Sequence, residues 1–129
     1  KMIEARIRET IKSDEVANFE FIFKAERELQ SPVVEVAIFD QTGNPVIQRF
    51  NDNDSYFFEI KPGLNKINLS FDSLRLKSGT YHVTFIVNDQ NVNNPVIYCH
   101  NSYRFNIKNE GAEFGLMINK PIWSVSNES

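Results

Sequence analysis

Cys99 and His100 stand side by side in a chain that holds one cysteine and two histidines. A thiol within hydrogen-bond reach of an imidazole would make a nucleophile and its base. Adjacent residues of an extended strand point to opposite faces, so this pair is read as a small buried thiol beside an unrelated ring. His82, His100 and Cys99 are too few for a structural zinc site. The run Asn51-Asp52-Asn53-Asp54 offers oxygen ligands but lacks the glycine and the terminal glutamate of a calcium-binding helical loop, and it is read as a solvated turn. The aspartates and glutamates fall in turns or alternate outward along strands, and no pair stands out for two-carboxylate glycoside hydrolysis. Gly-x-x-x-x-Gly-Lys and Gly-x-Ser-x-Gly are both absent from the sequence. We therefore expect neither catalysis nor a metal or cofactor.

Surface recognition is the remaining chemistry, and it depends on which residues share a face. The sequence has a period of two almost throughout. Phe19, Phe21 and Phe23, then Val34, Val36 and Ile38, then Ile67, Leu69 and Phe71 each alternate with polar or charged neighbours. Tyr81, Val83, Phe85 and Val87 repeat the pattern, as do Tyr103, Phe105 and Ile107. Alternation of this kind buries one face of each strand and is the mark of antiparallel sheets. Turn-forming clusters at Thr42-Gly43-Asn44-Pro45, Lys61-Pro62-Gly63, Ser78-Gly79 and Asn109-Glu110-Gly111 separate the runs. Helical signal is confined to 72–76, where Asp72 is placed to cap a single turn.

In Leu74-x-Leu76-x-x-Gly79-x-Tyr81-x-Val83 a glycine supplies a corner and a tyrosine opens the next strand. Immunoglobulin-like sandwiches bond such a tyrosine back to the backbone at the corner before strand F. The spacing predicts an all-β, immunoglobulin-like antiparallel β-sandwich of about eight to nine strands, near 2–11, 18–26, 33–40, 45–50, 56–60, 65–71, 80–88 and 102–108. A ninth is placed near 113–119, and 124–129 is read as a frayed terminus. Strands C, F and G (33–40, 80–88, 102–108) share a sheet in this arrangement. Their outward residues, among them Glu35, Phe39, His82, Thr84, Asn88 and Arg104, then form one surface on which Phe39 and Ile86 are apolar residues calling for a partner. Arg104 is also placed to pair with Glu35, and Trp123 to close an end of the core.

The 129 residues suit a single domain, 1–129. Hydrophobic residues make up 41% and charged residues 24%, the balance of a folded globule. A net charge of −3 and a pI near 5.4 argue against a nucleic-acid backbone binder, which needs a basic face. No apolar run approaches the roughly 18 residues of a membrane-spanning helix. The start at Lys1-Met2-Ile3-Glu4 reads as a fragment of a longer chain.

Pro32-Val33-Val34-Glu35-Val36-Ala37-Ile38-Phe39-Asp40-x-x-Gly43-x-Pro45-Val46 is followed by Pro62-Gly63, the Leu74–Phe85 corner segment, Phe105-x-Ile107, Gly115-Leu116 and Trp123. In order and spacing this resembles the C-terminal domain of the ATP-binding subunit of O-antigen polysaccharide exporters, the Wzt type, from about Ala5 to Trp123. The stretch between Ile7 and Phe19 departs from that pattern in being short. The resemblance implies a non-catalytic carbohydrate-binding module, a homodimer, fused behind a nucleotide-binding ATPase domain. It implies cytoplasmic work at the inner membrane face, where the module recognises the terminal part of a lipid-linked O-antigen and couples it to export by a membrane-spanning partner subunit. Sugars take aromatic faces on their C–H patches and polar side chains on their hydroxyls. Glu35, Phe39, His82, Thr84, Asn88, Arg104 and Trp123 supply both kinds. Two alternatives stand beside this reading: a protein-interaction or assembly sandwich of adhesin or secretion type, working through its edge strands without a sugar ligand, and an accessory module of an extracellular glycosidase.

Overall fold

Phe19, Phe21 and Phe23 project from one face of a single strand and are fully buried, and two sheets close around that stripe. The computed structural model describes residues 2–7, 9–12, 14–90, 95–108 and 121–128. The strands are β1 (Met2–Ile7), β2 (Thr10–Lys12), β3 (Ala17–Ala25), β4 (Pro32–Phe39), β5 (Pro45–Phe50), β6 (Gly63–Phe71), β7 (Gly79–Asp89), β8 (Pro95–Lys108) and β9 (Ile122–Glu128). One sheet has the order β1-β3-β6-β9 and the other β2-β8-β7-β4-β5. All neighbours are antiparallel except β2, which runs parallel to β8. This is the all-β sandwich the alternation predicts, and the C, F and G segments (β4, β7, β8) do share a sheet.

The layers meet through aromatic side chains. Phe21 of one sheet stacks on Phe85 of the other with ring centroids 4.3 Å apart, and Phe19 meets Phe105 edge-on at 5.4 Å. Contacts of this kind are worth about 0.5–1.5 kcal/mol each beyond the area they bury. Every inward position read from the alternation in β3, β4, β6 and β7 lies in the core or packs on it. The predicted corner is present: the Tyr81 hydroxyl donates to the Lys77 carbonyl at 2.7 Å. Burial, and secondarily the charge of Asp40, pushes the Tyr81 phenol pKa up, so the hydroxyl stays protonated as a donor.

Five local expectations are corrected. The predicted strand 2–11 is two strands: β1 pairs with β3 and β2 with β8, so the chain changes sheets between them. The segment 56–60 alternates as a strand would, yet has no partner strand among the described residues; it crosses between sheets and meets Leu29 through the isolated Leu29–Ile60 bridge. Residues 72–77 form an irregular corner rather than a helical turn, with Arg75 at a positive φ of 54°. The 102–108 strand extends back to Pro95. The tail is no frayed end: β9 pairs with β6 from Leu64↔Glu128 to Ser70↔Ile122, with Trp123 and Val125 turned to the core and Ser124 exposed between them. The predicted 113–119 strand lies outside the described residues.

Candidate functional site

The turn at 51–54 follows β5, and two of its four residues are buried. Asn51 Oδ1 accepts the Val34 N–H, and its amide donates to the carbonyls of Pro32 and Tyr56. The Asp54 carboxylate takes Arg49 from β5 and, at 2.9 Å, the Trp123 indole N–H from β9. This corrects the solvated-turn reading: only Asp52 and Asn53 face water, while Asn51 and Asp54 organise the edge where the sheets meet. No group of acidic, histidine or cysteine residues among those described could hold a metal ion.

The outer face of the five-stranded sheet gathers most of the sequence-predicted residues. In register, Phe39 of β4 lies opposite His82 of β7, and His82 opposite Arg104 of β8. Two rungs along, Glu35 lies opposite Ile86, and Ile86 opposite Tyr98. Glu35 and Arg104 are therefore roughly 13 Å apart along the strands, and the expected ion pair does not form. Glu35 instead accepts a hydrogen bond from Gln48 Nε2 of β5 at 2.7 Å.

A bulge in β8 shapes the centre of this face. Between the pairs Val83↔Tyr103 and Phe85↔Cys99, β8 carries two residues more than β7. An even insertion restores the alternation in phase, so Tyr98 and His100 share the outer face with Arg104 while Cys99 and Tyr103 pack on the core. The insertion is held by Thr84, whose Oγ1 accepts the Asn101 N–H at 3.0 Å and donates to Asn101 Oδ1 at 3.1 Å. Asn101 adopts a positive φ of 49° there, and His100 Nδ1 lies 3.3 Å from the same hydroxyl. Thr84 is consequently only 3% exposed; it is a strut beneath the face rather than a contact upon it.

The rings form a row. His100 lies 6.1 Å from Phe39, edge-on, and 5.9 Å from Tyr98, which is 59% exposed. Asn88 is 1% exposed and donates to the Val33 carbonyl, locking β7 to β4. Trp123 belongs to the other sheet and is buried. Of the seven predicted site residues, then, Glu35, Phe39, His82 and Arg104 share an accessible surface, Thr84 and Asn88 support it from below, and Trp123 lies apart. The alternation of 96–100 carries the same signal for Tyr98 and His100. Cys99, on the core side, has its thiol pKa raised by burial, which favours the protonated thiol over the thiolate. Two grooves lie elsewhere, one of about 560 Å³ between Phe23 and Ile97 and one of about 460 Å³ beside Pro32 and Phe57. Neither is lined by a predicted site residue.

The fold is the immunoglobulin-like sandwich the sequence predicts, and comparison decides the family. The Wzt C-terminal domain model matches residues 3–118. The chain belongs to the Wzt C-terminal domain family. The crystal structure of the C-terminal domain of Wzt has the same fold, with a TM-score of 0.78 at 15% identity over 92% of this chain and 78% of that one. A weaker likeness, TM-score 0.47 at 18% identity over 81% of this chain and 30% of the other, is to the Pseudomonas fluorescens alkylpurine DNA glycosylase AlkC bound to DNA containing an abasic site analog. No curated protein matches by sequence. As a Wzt C-terminal domain the chain has no helix among its described residues long and apolar enough to cross a membrane.

Proposed function

We propose that this domain is a non-catalytic glycan-binding module of a Wzt-type O-antigen exporter, and that it reads the terminal part of a lipid-linked polysaccharide on the outer face of its five-stranded sheet. The observation that carries this reading is the Phe39–His100–Tyr98 row, flanked by His82, Arg104, Glu35 and Gln48. Neighbouring rings in a row present apolar area to sugar C–H patches, and the flanking groups supply donors and acceptors to hydroxyls. An open face suits a chain-like ligand, which must slide across rather than enter a closed cavity. In this reading the ATPase is a separate N-terminal nucleotide-binding domain, the module works in the cytoplasm at the inner membrane face, and its binding licenses export by the membrane subunit. Pairing of those ATPase halves makes the module a homodimer, and light scattering at tens of micromolar checks that directly.

Co-precipitation of the domain with O-polysaccharide from its source strain, beside polysaccharides of unrelated serotypes, tests the function. Retention on the cognate glycan, lost with Tyr98→Ala or His82→Ala, is the expected result. Retention on none of them would move the assignment to a protein partner at a sheet edge.

A further inference from the structure

Arg104 is exposed on the outer face. His82 lies directly opposite it on β7. The diagonal neighbours are Thr80, whose hydroxyl donates to Asn106 Oδ1 at 2.8 Å, and Thr84, whose hydroxyl is engaged by the β8 bulge. Asn106, next along β8 on the same face, is thereby tied to Thr80. No carboxylate occupies the Phe39–His82–Arg104 rung. Glu35 is two rungs away and bonded to Gln48. Glu9 and Glu15 flank the edge strand β2, which adjoins β8: the Glu9 carbonyl takes the Asn106 N–H at 2.8 Å and Glu15 accepts the Lys12 N–H, and neither carboxylate forms an ion pair with Arg104. A chain with a net charge of −3 thus leaves an arginine and a histidine side by side, next to a half-buried phenylalanine, without an acidic partner among the described residues.

A guanidinium presents its N–H groups as a planar fork that matches carboxylate and phosphate oxygens two at a time. The ring of Phe39, on the same rung, offers apolar surface to the body of the same sugar. We propose that this rung is an anion subsite, and that the glycan read by this domain carries an acidic group, a sugar carboxylate or a phosphate ester, seated on Arg104 and His82 with its ring against Phe39. The inference rests on the glycan-binding reading of the same face and narrows it to acidic glycans.

The test is an NMR titration of the ¹⁵N-labelled domain with mannose, mannose 6-phosphate, glucuronic acid and inorganic phosphate, followed at the backbone amides and the arginine Nε–H signals. The expected result is that at least one of the two acidic sugars moves Arg104 Nε–H and the amides of Phe39 and His82 at concentrations at least about tenfold below those needed for mannose. Which one does so separates carboxylate from phosphate. Arg104→Gln should abolish the preference and leave the weaker mannose response, Arg104→Lys should keep part of it, and Lys61→Gln, on the other side of the fold, should change nothing. Equal responses to acidic and neutral sugars overturn the anion subsite and leave glycan binding standing. Inorganic phosphate acting as strongly as mannose 6-phosphate, or acidic sugars mapping to another surface, also overturns it. Silence of the whole outer face toward every sugar overturns both the subsite and the reading it rests on.

Discussion

Arg49 in β5 and Arg104 in β8 belong to the same sheet, and each lies near aromatic side chains, yet their surroundings are opposite. Arg49 turns toward the edge of the sandwich and closes on Asp54, whose other oxygen interactions include the Trp123 indole. Arg104 turns outward beside His82, and none of the described residues gives it an acceptor. The first cluster is complete within the chain, because a buried carboxylate without partners is far costlier than one that has them. The second leaves donors pointing at solvent over half-exposed rings. Residue type states what chemistry is possible at each place. Whether the fold itself supplies the partner decides which cluster holds the structure together and which is available to a ligand.

Breaking the closed cluster should produce the largest effect. Asp54→Ala strands Arg49 and leaves the indole N–H of Trp123 without an acceptor, and unfolding in urea should show a loss of about 3 kcal/mol. A loss below about 0.5 kcal/mol would place Asp54 with the exposed surface charges and erase the contrast. Thr84→Val sits between the two regions, since the hydroxyl supports the open face from a buried position. It should cost about 1–2 kcal/mol and displace the His100 and Asn101 amide signals, because the inserted pair of β8 residues loses its strut. Arg104→Gln should leave the unfolding free energy within about 0.5 kcal/mol of the parent while weakening polysaccharide retention severalfold. Destabilisation comparable to that of Asp54→Ala would show Arg104 to be structural.

The smallest effect concerns Asp40, which takes the Thr42 hydroxyl at 2.7 Å and the backbone N–H groups of Thr42 and Asn44 at the β4–β5 turn, where Gly43 supplies a φ of 86°. These bonds, the Thr42 hydroxyl first, hold its carboxyl pKa below the ordinary aspartate value. A depressed folded-state pKa contributes stability above the unfolded value, and that contribution disappears as pH falls through the folded one. The stability gap between parent and Asp40→Asn should therefore be constant near neutrality and narrow below about pH 4. A gap that widened on acidification would contradict the assignment.

Much of this was legible in the sequence because it depends on period two. Alternation alone put Phe19, Val36, Phe85 and Phe105 inside and Phe39, His82 and Arg104 outside, and Gly79 with Tyr81 marked the corner. What escaped depends on long-range partners. Thr84 and Asn88 occupy outward positions by parity but are buried by a bulge and a cross-strand amide, neither of which leaves a periodic trace. Asp54 reads as one more turn aspartate until Trp123, 69 residues away, is seen to donate to it. The serines and asparagine of 124–127 made the tail look loose, although Trp123 and Val125 keep the strand alternation. Segment 56–60 shows the converse error: its residues alternate in an extended path that has no strand beside it among the described residues.

The change of sheets between β1 and β2 has a mechanical side. Along one margin of the sandwich the edge strands are joined by the chain itself, since Ile7 and Thr10 are separated by two residues. Along the other margin, the edge strands β5 and β9 are held by the side chains of Arg49, Asp54 and Trp123. The two layers are thus bound like a book, with a covalent spine and a clasp. Partial opening proceeds from the clasp side, so β9 amides should exchange their hydrogens ahead of those of β3, and release of that one carboxylate frees the cover while the spine keeps the pages in register.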